Sequence, residues 1–388
     1  MVELLLLLLP VAAASGWFAA MRSQRSKTVN KNGNLSEHYF KGLNYLLNEQ
    51  PDKAIEVFIE MLEVDSETVE THLALGNLFR RRGEVDRAIR IHQNIIARPT
   101  LKRNQRALAL YELGQDYMRA GLLDRAENLF LELLEIGEYS NQALIQLIEI
   151  YEQERDWENA IEIAHKIEFS TGQKMNAVIA HYFCELSEKA MRKNEMSKAQ
   201  EWVKKALAVD KNCVRASILQ GRIAHANNNC KAAIEAYKRV EKQDPDFIPE
   251  IIELVHECAR DDRQKKEFME YLSQILKNYG GITPMLTLAE LIREQQGDDE
   301  AEAFIVEQLH LRPSVRGLDK LIEYNMSHTH GAARENLLIL NDLIRNLLED
   351  RPVYKCNVCG FEGKTMHWHC PSCKRWNTVR PIQGVAGE

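Results

Sequence analysis

The strongest constraint on this chain is a spacing. Gly42 is followed by Tyr45, Ala54 and Phe58, and 34 residues later Gly76 is followed by Phe79, Gly83, Ala88 and His92. The same order returns at Gly114, Tyr117, Gly121, Ala126 and Phe130, and again at Gly221, Ala224, Ala233, Tyr237 and Pro245. It is plain in "LALGNLFRRRGEVDRAIRIHQ" and "YELGQDYMRAGLLDRAENLF". A period of this length holds two short helices and a turn, and is too short to enclose a core of its own. Small residues belong where two helices approach closely, and Tyr, Phe and Leu fill the gaps between them. Each unit then buries its apolar face only by stacking on the next. The chain is therefore predicted to be all-α, a superhelical stack whose concave inner face suits another polypeptide.

Weaker copies fill the intervals: Tyr151, Trp157 and Ala160; Ala190, Ala199 and Val203; Ala289, Ile292, Ala301, Ile305 and Pro313. These residues resemble tetratricopeptide repeats. The resemblance covers residues 35–347 as an array of about nine repeats, the copies after residue 248 being degenerate. Positions on the first helix of a repeat that point away from the signature residues are candidates for the inner face: Asn77 and Arg80, Tyr111 and Gln115, Arg222 and His225. The remaining aromatic residues, lone histidines and Cys184, Cys213, Cys230 and Cys258 read as core. No G-x-S-x-G, phosphate-binding loop, H-E-x-x-H or G-x-G-x-x-G occurs, and "HTHG" (His328 to Gly331) falls between repeat helices. The expectation is a protein that is not an enzyme, with no catalytic residues and no cofactor-binding residues beyond a metal.

Before the repeats, Leu4 to Met21 carry no charge. As a helix these 18 residues span about 27 Å at ~1.5 Å each, close to the ~30 Å hydrocarbon core of a bilayer. Trp17 and Phe18 suit the interface. A cleaved signal peptide, which the small residues Ala12 to Gly16 would suit, wants its positive charge first, and only Glu3 precedes the apolar run. Arg22, Arg25, Lys27 and Lys31 all follow it. The reading is a transmembrane anchor over 1–21 and a basic juxtamembrane linker over 22–34, with the amino terminus outside and the bulk cytoplasmic. Of the formal net charge of −7, residues 1–34 contribute +3 and residues 351–388 contribute +4, leaving −14 on the body. An acidic body argues against a nucleic-acid groove.

The carboxyl end departs from the helical pattern. "YKCNVCGFEGKTMHWHCPSCKRW" holds two C-x-x-C pairs with ten residues between them. Each pair puts two thiolates on one turn, and two turns make a tetrahedral four-sulfur site for zinc or iron. Cys356, Cys359, Cys370 and Cys373 are the expected ligands of one metal ion, zinc preferred over iron, in a module over 351–380. His367 and His369 are spare. Phe361, Trp368 and Trp376 are expected to give the module its small core. The knuckles resemble those of rubredoxins, with two departures: the gap is short, and Lys374 stands where a glycine follows the second pair. A positive module beside a negative body is expected to fold back on the last repeats. Lys364, Lys374 and Arg375 are the residues a nucleic-acid reading of the ribbon would use, a reading the anchor and acidic body oppose.

Anchor, repeat array and rubredoxin-like knuckle in this order, with the opening "LLLLLLPVAAASGWF", resemble the lipopolysaccharide assembly protein B family of Gram-negative bacteria over essentially the whole chain. The resemblance implies an inner-membrane adaptor that regulates lipopolysaccharide synthesis. It implies three partners: a membrane-bound AAA+ metalloprotease, the UDP-3-O-acyl-N-acetylglucosamine deacetylase of lipid A synthesis that it hands over for degradation, and a lipopolysaccharide-sensing inner-membrane protein that restrains it. Repeat arrays often pair through degenerate end copies, so a homodimer is also admitted. The alternative is an iron-loaded redox knuckle with the repeats as docking surface.

Overall fold

The computed structural model describes residues 69–388 apart from 100, 260, 350 and 386, together with scattered positions between 40 and 57. The expected anchor and linker lie outside the described residues. Among the described helices none is long and apolar enough to cross a membrane. The chain divides into two compact units, residues 1–154 and 155–388.

The first unit contains α1 (Val69–Arg81), α2 (Val85–Ile96), α3 (Arg103–Arg119), α4 (Leu123–Ile136) and α5 (Ser140–Glu154). Each packs on the next. The repeat glycines sit where a side chain cannot: a Cβ on Gly76 would meet His92 Nε2 at 2.3 Å, and one on Gly114 would meet the Phe130 ring at 2.7 Å. The next glycine of each repeat makes the turn. Gly83 and Gly121 lie at φ +82° and +75°, the left-handed region that glycine enters without Cβ strain.

The second unit continues with α6 (Trp157–Thr171), α7 (Asn176–Arg192), α8 (Met196–Val209), α9 (Val214–Ala226), α10 (Cys230–Lys238) and the short α11 (Val240–Gln243). A 3₁₀ turn at Pro245–Phe247 leads into α12 (Pro249–His256), α13 (Asp262–Asn278), α14 (Ile282–Gln296), α15 (Asp298–Leu311), α16 (Val315–His328) and α17 (Ala332–Glu349). Gly221 obeys the same rule as its counterparts, since its Cβ would meet Tyr237 at 2.2 Å. The turns here use Asn194 and Asn228 at φ +60° and +58°; asparagine tolerates that region better than most residues. Some helix starts are capped by side chains. Asp261 Oδ1 accepts from Gln264 N at 2.7 Å, and the Gln264 side chain accepts from Asp261 N at 3.3 Å.

A three-stranded antiparallel sheet closes the chain: β1 (Tyr354–Cys356), β2 (Glu362–Gly363) and β3 (Val379–Pro381), in the order β2-β1-β3. Its register pairs Lys355 with Glu362 and Cys356 with Val379. The molecule is thus an all-helical tetratricopeptide-repeat solenoid with a small carboxyl-terminal ribbon.

Candidate functional site

The two C-x-x-C turns face each other across the sheet. Cys356 Sγ lies 3.8 Å from Cys373 Sγ, and Cys359 Sγ lies 3.7 Å from Cys370 Sγ. All four sulfurs are within 4.8 Å of one another. Metal–sulfur bonds of ~2.3 Å place tetrahedral ligands roughly 3.8 Å apart, so the donor set fits one tetrahedral ion. Backbone amides aim at the sulfurs. Those of Val358 and Cys359 reach Cys356, that of Phe361 reaches Cys359, and those of Ser372 and Cys373 reach Cys370. Burial opposes ionisation of Cys356, but the Thr378 hydroxyl and the two amides outweigh it and bring the thiol down to about 6. At Cys356 this bias toward thiolate suits a cation, whereas burial pushes the Cys370 thiol up to about 11. The four cysteines form a site for one metal ion.

Lys374 does not spoil the second knuckle. It takes φ +56° where Gly360 takes +77° at the matching place in the first, so the turn is kept at a cost of roughly 1 kcal/mol for a residue with a Cβ. The spare histidines are occupied otherwise. His369 Nε2 lies 2.8 Å from the Lys374 carbonyl oxygen, and His367 Nε2 lies 3.2 Å from Thr365 Oγ1.

The tryptophans overturn one expectation. Phe361 packs inside the ribbon with Cys356, Cys370 and Val379, but Trp368 and Trp376 leave it and seat on the repeats. Trp376 stacks on His181 at 5.3 Å between ring centres and meets Tyr182 and Trp157 edge-on at 5.7 and 6.0 Å. Trp368 stacks on Phe247 at 5.2 Å. The physical reason is size. A ribbon of this length, cross-linked through a metal, cannot surround two indoles, and the groove beside α7 can. His181, buried beneath them, is held neutral. Burial first, then the positive charge of Arg215 and the nearby His369, lower its pKa to about 3.

Polar contacts complete the docking. Tyr354 Oη donates to Glu250 Oε1 at 2.6 Å, with burial pushing both groups up. Arg380 Nη1 donates to Asp244 Oδ2 at 2.5 Å and to Asp246 Oδ2 at 3.2 Å, while its guanidinium covers the Phe247 ring. The chain following β3 reaches further. Glu388 accepts from Thr283 N at 2.9 Å and from Arg316 Nη1 at 2.5 Å, and Val315 N donates to the Val385 carbonyl at 2.8 Å. The ribbon therefore folds back on the repeats of its own unit. Charge contributes less than composition suggested: Lys364, Lys374 and Arg375 stay exposed, Lys355 pairs with Glu362 inside the ribbon, and Arg380 is the cation on the acidic pair.

The inner-face candidates fare unevenly. In the first unit the Arg80 guanidinium is spent on its own neighbours, donating to Glu112 Oε2 at 2.6 Å and Asp116 Oδ1 at 2.8 Å. The buried Asp116 also meets His92 Nδ1 at 2.5 Å. Gln115 Nε2 donates to Tyr111 Oη at 2.7 Å, and Tyr111 stacks on Tyr139. Asn77 is half-buried with its Oδ1 unpartnered. In the second unit Arg222 is exposed, and His225 Nδ1 lies 3.7 Å from Glu257 Oε2. Sequence reasoning missed Asp116, a polar residue within an otherwise apolar helical stripe, whereas the reading of the lone histidines as core holds for His181.

Comparison with known proteins agrees with the architecture. Residues 354–381 match a family model described as a rubredoxin metal binding domain, and residues 71–107, 111–170 and 185–246 match tetratricopeptide-repeat models. The chain is 40% identical to lipopolysaccharide assembly protein B of Escherichia coli (strain K12) over 388 residues, 100% of both chains. It is 35% identical to the Haemophilus influenzae protein of that name over 392 residues, 98% of each. Among solved structures, a MamA protein aligns over 47% of this chain and 96% of its own, at 20% identity and a TM-score of 0.32.

Proposed function

The chain belongs to the lipopolysaccharide assembly protein B family, and from that premise we propose that it is a non-catalytic inner-membrane adaptor presenting the lipid A deacetylase to a membrane-bound AAA+ metalloprotease. A role in lipopolysaccharide assembly follows from membership; the hand-over is our reading. The observation that carries it is the docked ribbon. Its metal knuckles are used to fix two tryptophans and a polar tail onto the repeats, which suits a rigid scaffold. Residues 1–21 anchor the scaffold beside the protease and replace a three-dimensional search by a two-dimensional one, raising effective concentration. Repeat surfaces hold the deacetylase and the protease together, with Asn77, Tyr111, Gln115 and Arg222 as inner-face contacts, and a lipopolysaccharide-sensing membrane protein restrains the complex. The ribbon ion is zinc acting as a structural clip.

The test is the cellular half-life of the deacetylase with the full chain, without it, and with a chain lacking residues 1–21. Persistence of the enzyme in the last two cases supports the membrane adaptor. Equal turnover in all three overturns it. Colour tests the ion separately, since an iron form is red and changes its absorbance on reduction whereas a zinc form is colourless.

A further inference from the structure

A second cluster of metal-ligating side chains lies in the second unit, away from the ribbon knuckles. His225 is in the last turn of α9, Cys230 opens α10 after the Asn227–Asn229 turn, and Cys258 follows α12. One ligand atom from each lies within 4.8 Å of the other two. Cys258 is fully buried, Cys230 and His225 are half-buried, and none of the cysteines is in a disulfide. Two cysteines and a histidine, two of them flanking a turn and the third brought in from another helix, is a donor set of zinc type.

Two further observations point the same way. Glu257 Oε2 stands 3.7 Å from His225 Nδ1, where a carboxylate orients a ligating imidazole or supplies a fourth donor. Tyr237 is fully buried, and its hydroxyl has no hydrogen-bond partner. A phenol keeps its proton at neutral pH, so this hydroxyl is a donor. A buried donor without an acceptor costs free energy, and a thiolate brought within its reach would satisfy it.

We propose that His225, Cys230 and Cys258 form a second metal site that takes a thiophilic divalent cation of the zinc class, with Glu257 orienting His225 and Tyr237 donating to a bound thiolate. Binding releases one proton from each thiol while the imidazole stays neutral. The ion ties α9, α10 and the end of α12 together at one corner of the unit. His225 then serves the corner and not a polypeptide in the groove.

The test is zinc content of the purified full chain after dialysis against metal-free buffer. The expected result is two equivalents per chain, falling to one in Cys230→Ser and His225→Ala, and to one in the double variant Cys356→Ser/Cys359→Ser. Cobalt loading of that double variant reads the second site with the ribbon knuckle disabled. Thiolate-to-cobalt absorption should persist there and vanish when Cys230→Ser is added. One equivalent in the wild type, or a second equivalent unchanged by Cys230→Ser, overturns the site.

Discussion

Removing one ring should undock the ribbon without unfolding it. Trp376 touches three repeat rings and one ribbon ring, His369 at 4.4 Å. Truncating a fully buried Trp to Ala costs ~3–5 kcal/mol. Trp376 is half-buried, so Trp376→Ala should lose about 3 kcal/mol, including the ~0.5–1.5 kcal/mol each aromatic pair adds beyond burial. At tenfold per ~1.4 kcal/mol this raises the undocked fraction on the order of 100-fold. Two amides report that opening. Thr283 N and Val315 N lie in the first turns of α14 and α16, where helix N–H groups have no partner within the helix, and they donate instead to Glu388 and Val385. Residue-resolved hydrogen exchange at these two amides should accelerate on the order of 100-fold in Trp376→Ala, with metal content unchanged, and much less in Trp376→Phe. Unchanged exchange at both amides with an intact metal site would refute the claim that the tryptophan holds the ribbon down.

Three further outcomes follow from the packing. Asp116→Ala strands His92 and half-strands Arg80, and urea unfolding should show a loss of about 3 kcal/mol, as for a buried ion pair broken on one side. Gly114→Ala drives a methyl into the Phe130 ring and should cost about 2 kcal/mol, whereas Gly83→Ala, which meets nothing but sits at φ +82°, should cost only about 1 kcal/mol by the same measurement. His181 has a native pKa of about 3 against 6.5 for its ordinary value, so the unfolded chain binds a proton that the native chain refuses. Stability is full above pH 6.5 and falls as pH drops toward 3, by about 2 kcal/mol at pH 5. His181→Phe should flatten that slope in unfolding measured across the range, and an unaltered slope would show that His181 is not its source.

How much of this was legible depended on whether the signal was local. Gly76, Gly114 and Gly221 announced the fold because each must face a ring one helix later, and that partner lies at a fixed distance along the chain: His92, Phe130 and Tyr237. The four cysteines were legible because two tight turns carry their own geometry. Arg80 was misleading. Its position on the first helix reads as a surface cation, and nothing nearby in sequence tells that Glu112 and Asp116, a repeat later, take it up. Trp368 and Trp376 misled for a similar reason. Their spacing around the cysteines says they belong to the ribbon, but only the volume available decides whether the ribbon can bury them.

The degenerate copies after residue 248 gain a physical account from the same contacts. A repeat signature persists where a helix pair must be sealed by the next pair, and it is relaxed where something else supplies the seal. Around α12 to α16 that something is the ribbon: Trp368 and Met366 join the apolar cluster of α9 to α14, Tyr354 holds Glu250, and the chain after β3 satisfies first-turn amides of α14 and α16. The ribbon acts as a cap applied sideways. Weakened periodicity ahead of a metal knuckle is then a sign of docking that a sequence can show, because residues freed from sealing a neighbour no longer need the spacing that sealing imposes.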